Sequence, residues 1–395
     1  MLILNRHPKL SMNPNQLLNC HKALLNRSVN KVPSKFYNIR ICNKERFIPD
    51  SIASQLQDLY KKSINAYLHD LIQRHASFCD ADSKQLYEKC LRYNTFGGKN
   101  MRADLLMQTF WMSCSNAVHR ETNLCLVVKL AALVEIFQGM LLLYDDIQDK
   151  SEVRRGKKAW YLTKNRKEDA AIDGLFLNNL ISLEIGELCS GNPKRAITLT
   201  KYFNSALNKT IYGQNLDTST QLANVENFDN YFNIDMYKKI CKYKTSYYSF
   251  ILPIKIANFI AKDTMILDYS LEDIIDELAI CFQSHNDCAD FYNDQTTIVG
   301  RRNKSDIEER KCSWLLLAAL KHLDGEAIQE FKSNFIGGKT SKIAKIYTNL
   351  KLDKLFAEYH ENYINSLERK SIQEHPYNYV ILNILNHIKR LRLKS

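Results

Sequence analysis

An all-α fold is what this 395-residue chain predicts, on two observations. Glycine and proline are scarce, at 12 and 7 residues, well under the roughly 12% of average usage, so turn breakers are few and tight hairpins have little to form from. Apolar residues recur at helical spacing in segment after segment, with no internal repeat and no low-complexity linker. The length allows one large domain or two ordinary ones, and either can bury a substantial core. No domain boundary is visible beyond about residue 45, so residues 46–395 read as a single domain.

Residues 1–44 contain no Asp or Glu and eight Lys or Arg. With its Asn- and Leu-rich composition, the stretch 1–45 reads as an organelle-targeting presequence, mitochondrial in type, with a disordered basic leader of a cytoplasmic protein as the alternative. Residues 1–44 hold eight of the twelve excess positive charges, so the basic balance is no argument for nucleic acid.

The first helix is expected over 51–74, where Ile52, Leu56, Leu59, Ile64, Leu68 and Leu71 share a face. Phe96-Gly97-Gly98-Lys99 marks a turn whose backbone N–H groups and Lys99 can face an anion, ahead of a helix over 103–113. Residues 125–149 form the strongest helix. Its apolar part, 125–144, is interrupted by Lys129, Glu135 and Gln138, which makes it a buried core helix and not a membrane span. A polar loop follows over 151–165, then helices over 174–188, 195–217, 235–261 and 270–290, the third kinked at Pro253. Residues 293–311 are a charged polar segment. Helices return over 313–323 and 341–370, before a basic tail with Lys389, Arg390, Arg392 and Lys394. Eleven cysteines with no C-x-x-C pair argue against a disulfide framework or zinc site and suit a reducing compartment.

Two acidic segments stand at the ends of apolar helices. Asp145-Asp146-x-x-Asp149 follows Leu141-Leu142-Leu143-Tyr144, and Asn286-Asp287-x-x-Asp290 follows Ile280-Cys281-Phe282. On a helix, Asp145 and Asp149 lie on one face about one turn apart, and Asn286, Asp290 and Asp294 repeat that spacing. Either cluster alone is more often a solvated face. Placed after apolar runs, the array repels itself unless cations neutralise it, and magnesium, which takes few carboxylates and then water or phosphate oxygens, suits that task. Arg154 and Arg155 complement phosphate charge. Metal ions with Arg and Lys supply electrophilic charge to the oxygens of a bound diphosphate, and any cation formed beside them requires a dry aromatic wall. Tyr161, Tyr247, Tyr248 and Phe282 are candidates for that wall, ordinary core packing being the other reading of each.

From about Tyr37 to the C-terminus the chain resembles insect farnesyl diphosphate synthases, the trans-type isoprenyl diphosphate synthases, and the terpene synthases related to them. The motifs that carry the resemblance come in the family's order: Tyr93-Asn94-Thr95-x-Gly97-Gly98-Lys99-x-x-Arg102, the first acidic motif with Arg154-Arg155-Gly156, Gly213-Gln214-x-x-Asp217, Lys244-Thr245, the second acidic motif, and Lys311-Cys312-Ser313-Trp314-Leu315. The resemblance implies an all-α isoprenoid synthase bundle around a deep central cavity, a homodimer, and three magnesium ions holding a prenyl diphosphate. It makes Asp145, Asp146, Asp149, Asn286, Asp287, Asp290 and Asp294 the metal-site residues. Arg154, Lys244, Thr245 and Lys311 take catalytic roles, with Arg301 or Arg302 as a further cation on the diphosphate. Gln214, Asp217 and Gln283 join the substrate-binding set.

The family's second diphosphate pocket, for isopentenyl diphosphate, corresponds to Gly98, Lys99, Arg102, Gln138 and Arg155, all retained. Other positions depart from the coupling enzymes. Asn286 replaces the Asp that begins the second motif, Met101 and Ala103 replace Asn and Gly beside Arg102, and Met140 and Leu141 replace the bulky aromatics of the cavity floor. The expected function is therefore a terpene synthase ionising farnesyl diphosphate to a sesquiterpene. The alternative is an isoprenyl diphosphate synthase making geranyl or farnesyl diphosphate.

Overall fold

The computed structural model describes residues 48, 50–164, 166–262, 269–292, 305–372 and 378–389, and the expected leader, Asp294, Arg301 and Arg302 lie outside them. Among the described residues the architecture is all-α, apart from one pair of two-residue strands. The helices are α1 Asp50–His75, α2 Ala81–Thr95, α3 Met101–Ser113, α4 Ala117–Gln148, α5 Ala170–Leu188, α6 Pro193–Ser219, α7 Phe228–Tyr231 and α8 Ile234–Ile240. A π-helical segment, Cys241–Ile251, leads into α9 Leu252–Lys262. Then come α10 Tyr269–Tyr292, α11 Ser305–Glu308, α12 Trp314–His322, α13 Gly325–Ile336, α14 Thr340–Asn349, α15 Leu352–Ile372 and α16 Asn378–Lys389. Chain packing forms two compact units whose boundaries fall inside α4, α5 and α6 and at the start of α9.

The first unit runs to Met140 and includes residues 175–196 and 253–266. Helix α1 buries Ile52, Leu56, Leu59, Leu68 and Leu71, the face its apolar periodicity defines, and packs on α2 and α3. Asp80 caps α2 by accepting from the Ser83 backbone N–H at 2.8 Å. Asn100, before α3, is left-handed with φ 53° and makes no side-chain cap. The buried Glu135 of α4 takes that role, accepting from Ala103 N–H at 3.0 Å. Gly139 of α4 lies against the backbone of Asn94, where a Cβ would fall 2.5 Å from the carbonyl oxygen. Tyr67 and Arg74 both donate to Glu184 Oε atoms, at 2.9 and 2.6 Å. Among the described residues α4 is long and apolar enough to cross a membrane, but its apolar stretch is mostly buried in the protein.

The second unit holds residues 141–174, 197–252 and 267 onward. Its centre is α10, which packs against the π-helical segment, α12, α15 and α16. An aromatic core of Phe228, Phe232, Phe331, Phe335 and Tyr347 surrounds the buried faces of α12 to α14.

Several elements differ from the sequence expectation for local physical reasons. The polar loop over 151–165 contains an antiparallel pair, β1 Val153–Arg154 and β2 Lys157–Lys158, joined by Arg155 (φ 54°) and Gly156 (φ 73°), a two-residue turn with both central φ angles positive. The helix expected over 235–261 is α8, the π-helical segment and α9. Pro253 lacks an N–H and its ring would strike the carbonyl four residues back, and the wider turn just before it carries the Leu252 N–H to Tyr247 O, five residues back. The helix expected over 341–370 divides at Leu350–Lys351, where Lys351 has φ 52°. Helices α2 and α13 arise where no helix was expected. The basic tail begins in α16, whose Val380, Ile381, Ile384, Leu385 and Ile388 are buried.

Candidate active site

Helix α4 ends in Asp145, Asp146 and Gln148, with Asp149 following, and no basic residue sits in its last turn. A helix C-terminus already carries partial negative charge, so three carboxylates there demand cations from elsewhere. The fold supplies three. The β1–β2 turn directs Arg154 back onto the helix, where Nη2 donates to Asp145 Oδ2 at 2.9 Å and Nε to Asp146 Oδ1 at 2.7 Å. Lys244 of the π-helical segment donates to Asp217 Oδ2 of α6 at 2.6 Å and stands 3.2 Å from Asp145 Oδ1. Lys311, just before α12, donates to Asp149 Oδ2 and lies 2.9 Å from Glu309 Oε2 and 3.5 Å from Asp217 Oδ2.

Burial and charge oppose each other here. Burial disfavours an ionised Asp145, but Lys244, Arg154 and Lys311 outweigh it and hold the carboxyl well below its usual range. Asp146 is pushed up to about 6 by burial despite Arg154, and burial likewise raises Asp149 despite Lys311. Burial would lower Lys244, yet Asp145 and Asp217 keep it above the usual lysine value. Burial also disfavours an ionised Asp217, and Lys244 with Lys311 more than compensate, leaving it below the usual range. Glu309 is pushed up to about 7 by burial.

The second acidic motif lies in the last turns of α10. Asn286 is exposed. Asp287 is buried, and it accepts from Tyr237 Oη at 2.9 Å, Gln283 Nε2 at 2.8 Å and the Trp314 backbone N–H at 2.8 Å. Burial nevertheless pushes Asp287 up to about 6. Gln283 also accepts from Thr245 Oγ1 at 3.0 Å, so Thr245, Gln283 and Asp287 form one hydrogen-bonded chain beside Lys244. Asp290 is half-buried and accepts from the Asp306 backbone N–H at 3.4 Å.

Asp145, Asp146, Asp149, Arg154, Asp217, Lys244 and Lys311 are therefore one ionic network, although they come from five separate stretches of sequence. Asp149 Oδ1 is buried without a hydrogen bond, and so is Gln214 Nε2, while Asp145 Oδ1 faces the Lys244 ammonium group at 3.2 Å. An all-oxygen donor set, with two carboxylates on one helical face and one of their buried oxygens unbonded, fits magnesium. In the first unit, Lys99 is exposed, Gly98 and Gln138 are half-buried and Arg102 is buried. With its amide oriented to satisfy both neighbours, Gln138 donates to Glu135 Oε2 at 3.0 Å and accepts from Arg102 Nη1 at 2.7 Å. Met140 is buried, and Leu141 and Arg155 are half-buried.

Of the aromatic candidates, Tyr247 lies under Lys209 Nζ at 3.8 Å and Phe282 meets Phe250 edge-on at 5.8 Å. Sequence reasoning missed Glu309, Tyr237 and Glu135. Glu309 stands two residues before Lys311 and was within reach of a local reading. Tyr237 and Glu135 had no local signal.

A polyprenyl synthetase family model matches residues 84–351. The chain is 29% identical to a chloroplastic monoterpene synthase of Artemisia spiciformis over 333 residues, covering 83% of this chain and 82% of that one. It is 30% identical to a chloroplastic bifunctional chrysanthemol synthase of Tanacetum cinerariifolium, with the same coverage. A farnesyl diphosphate synthase of Artemisia spiciformis is 29% identical, over 82% of this chain and 94% of its own. A Trypanosoma brucei farnesyl diphosphate synthase solved with a bisphosphonate superposes with a TM-score of 0.74 at 22% identity, covering 86% of this chain and 100% of that one.

Proposed function

The chain belongs to the polyprenyl synthetase family, and from that premise we propose that it is a magnesium-dependent terpene synthase of the insect type. In this reading it ionises farnesyl diphosphate to a sesquiterpene and diphosphate. The observation that carries diphosphate chemistry is the convergence of Arg154, Lys244 and Lys311 on Asp145 and Asp149, with Asp149 Oδ1 buried and left without a hydrogen bond. Asp145 and Asp149, with Asn286 and Asp290, would hold magnesium, three ions by the resemblance. When bound, the metal supplies electrophilic charge to the leaving oxygens. Arg154, Lys244 and Lys311 donate hydrogen bonds to those oxygens as negative charge builds on them. Thr245, fixed through Gln283, offers its hydroxyl beside them.

Asn286 tilts the reading toward terpene formation. The second motif presents a neutral, exposed amide at its first position, and its Asp287 is committed to three protein donors. The second reading, coupling of isopentenyl diphosphate to an allylic diphosphate, is favoured by one observation: Arg102 and Gln138 are already paired in the first unit. The full chain incubated with magnesium and farnesyl diphosphate alone should release hydrocarbon. Longer diphosphates formed only when isopentenyl and dimethylallyl diphosphate are supplied would reverse the assignment. The basic stretch of residues 1–45, acid-free through residue 44, supports delivery to the mitochondrion, which a reporter fusion of that stretch tests, a cytoplasmic reporter favouring the alternative.

A further inference from the structure

We infer that Asp217 is a positioning residue that holds Lys244 and Lys311 as a pair over the diphosphate end of the site, an inference that rests on the diphosphate reading above. One oxygen, Asp217 Oδ2, lies 2.6 Å from Lys244 Nζ and 3.5 Å from Lys311 Nζ. The two ammonium groups repel each other, and a carboxylate shared between them removes that cost. Each lysine has a second partner in the first acidic motif, Asp145 for Lys244 and Asp149 for Lys311. Those are the carboxylates assigned to magnesium, and an oxygen that binds a divalent ion is a poorer partner for an ammonium group. Asp217 belongs to neither acidic motif, is only 4% exposed, and among the described residues is the acidic residue within 4 Å of both lysines. Glu309 serves Lys311.

Helix α6 is built for this task. Gly213, one turn before Asp217, lies against the backbone of Lys244, where a Cβ would fall 2.1 Å from the nitrogen. The same helix thus fixes the main chain of Lys244 with one residue and its ammonium group with another. Asp217 consequently sets where both cations stand when Asp145 and Asp149 are engaged with metal.

Charge counting and positioning predict opposite signs. Asp217 is an anion near a site for diphosphate, so by charge alone its removal should tighten anion binding. By positioning, removal frees the two lysines and weakens it. The measurement is calorimetric binding of inorganic diphosphate to the full chain at saturating magnesium. A wild-type chain that does not bind would remove the diphosphate reading itself, whatever Asp217 does. Given wild-type binding, Asp217→Asn should weaken the affinity at least about tenfold, and an equal or tighter affinity overturns the inference. The paired comparison of Lys244→Gln/Lys311→Gln with the same variant plus Asp217→Asn serves even if the single variant fails to fold. Affinities within about threefold of each other are expected, because the partners of Asp217 are gone. A further tenfold loss in that background would mean that Asp217 acts independently of the lysines, and the inference falls.

Discussion

A Cβ placed on Gly213 would lie 2.1 Å from the backbone nitrogen of Lys244 and 2.6 Å from its Cα, so α6 and the π-helical segment meet backbone to backbone. The listening point for any added atom is main chain, which cannot swing away as a flexible side chain would. Gly213→Ala should therefore push the segment off α6 and carry Lys244 away from Asp217 and Asp145. Overpacking of this kind costs roughly 1–3 kcal/mol. The expected result is a lower melting temperature together with at least a tenfold loss in turnover of the prenyl diphosphate substrate. A variant with wild-type turnover would show that Lys244 does not depend on this contact.

The contrast between this contact and the acidic motifs shows what a sequence can and cannot reveal. The Asp145 to Asp149 spacing is local, and helical geometry alone puts both on one face. The role of Asp287 depends on Tyr237, fifty residues earlier, and on a backbone N–H at Trp314, and neither leaves a mark in local patterning. Pro253 signals a break in its helix but says nothing of the wide turns that precede it. Strands of two residues are too short to show alternation, so the β1–β2 turn that aims Arg154 was read as loop. Helix α1 was legible because burial is periodic along it, and α4 because its apolar run is long; the ionic network was not, because it is assembled from distant segments.

Asp104 provides a test of stability against pH away from the site. It is half-buried in the first turn of α3, where Gln57 Nε2 donates to it at 2.8 Å. Burial pushes its carboxyl up to about 7, with the charge of Glu135 adding to the rise and the Gln57 hydrogen bond opposing it. The folded value lies above the unfolded one, so the folded state is relatively favoured at acid pH and loses that advantage as pH rises from the unfolded value of about 3.9 through 7. Asp104→Asn removes the titration. At pH 8 the variant should be more stable by up to ~4 kcal/mol, taking 1.36 kcal/mol per pKa unit as a ceiling, and the difference should vanish near pH 4. Denaturant melts at the two pH values check this, and a pH-independent difference would contradict it.

Helix α5 exposes apolar side chains alongside Asn179, Ser182 and Glu187. Ile172, Leu175 and Leu183 are 60%, 59% and 45% exposed, and they follow one another at helical spacing with Asn179 and Gly186 between and beyond them. A stripe of this kind suits the homodimer that the family resemblance implies, with the same face of a second copy covering it. Leu175→Glu/Leu183→Glu should shift the chain from dimer to monomer in analytical ultracentrifugation at micromolar concentration. A wild-type chain that sediments as a monomer, or a variant that stays dimeric, would place the contact elsewhere or nowhere.

Asn286 separates the two functional readings most directly. It is exposed on α10, four residues before Asp290, and next to an Asp287 already held by three donors, so restoring a carboxylate at position 286 adds charge at an accessible place without disturbing the buried network. Asn286→Asp should strengthen magnesium binding at the second motif and raise the yield of coupled diphosphate from isopentenyl and dimethylallyl diphosphate, by about tenfold if one added carboxylate contributes on the order of 1.4 kcal/mol to the metal. Hydrocarbon release from farnesyl diphosphate should fall in parallel. Product analysis by chromatography with both substrate mixtures measures the two yields side by side. Unchanged yields in both would remove the weight placed on this asparagine and leave the coupling reading, supported by the Arg102 and Gln138 pair, as the stronger one.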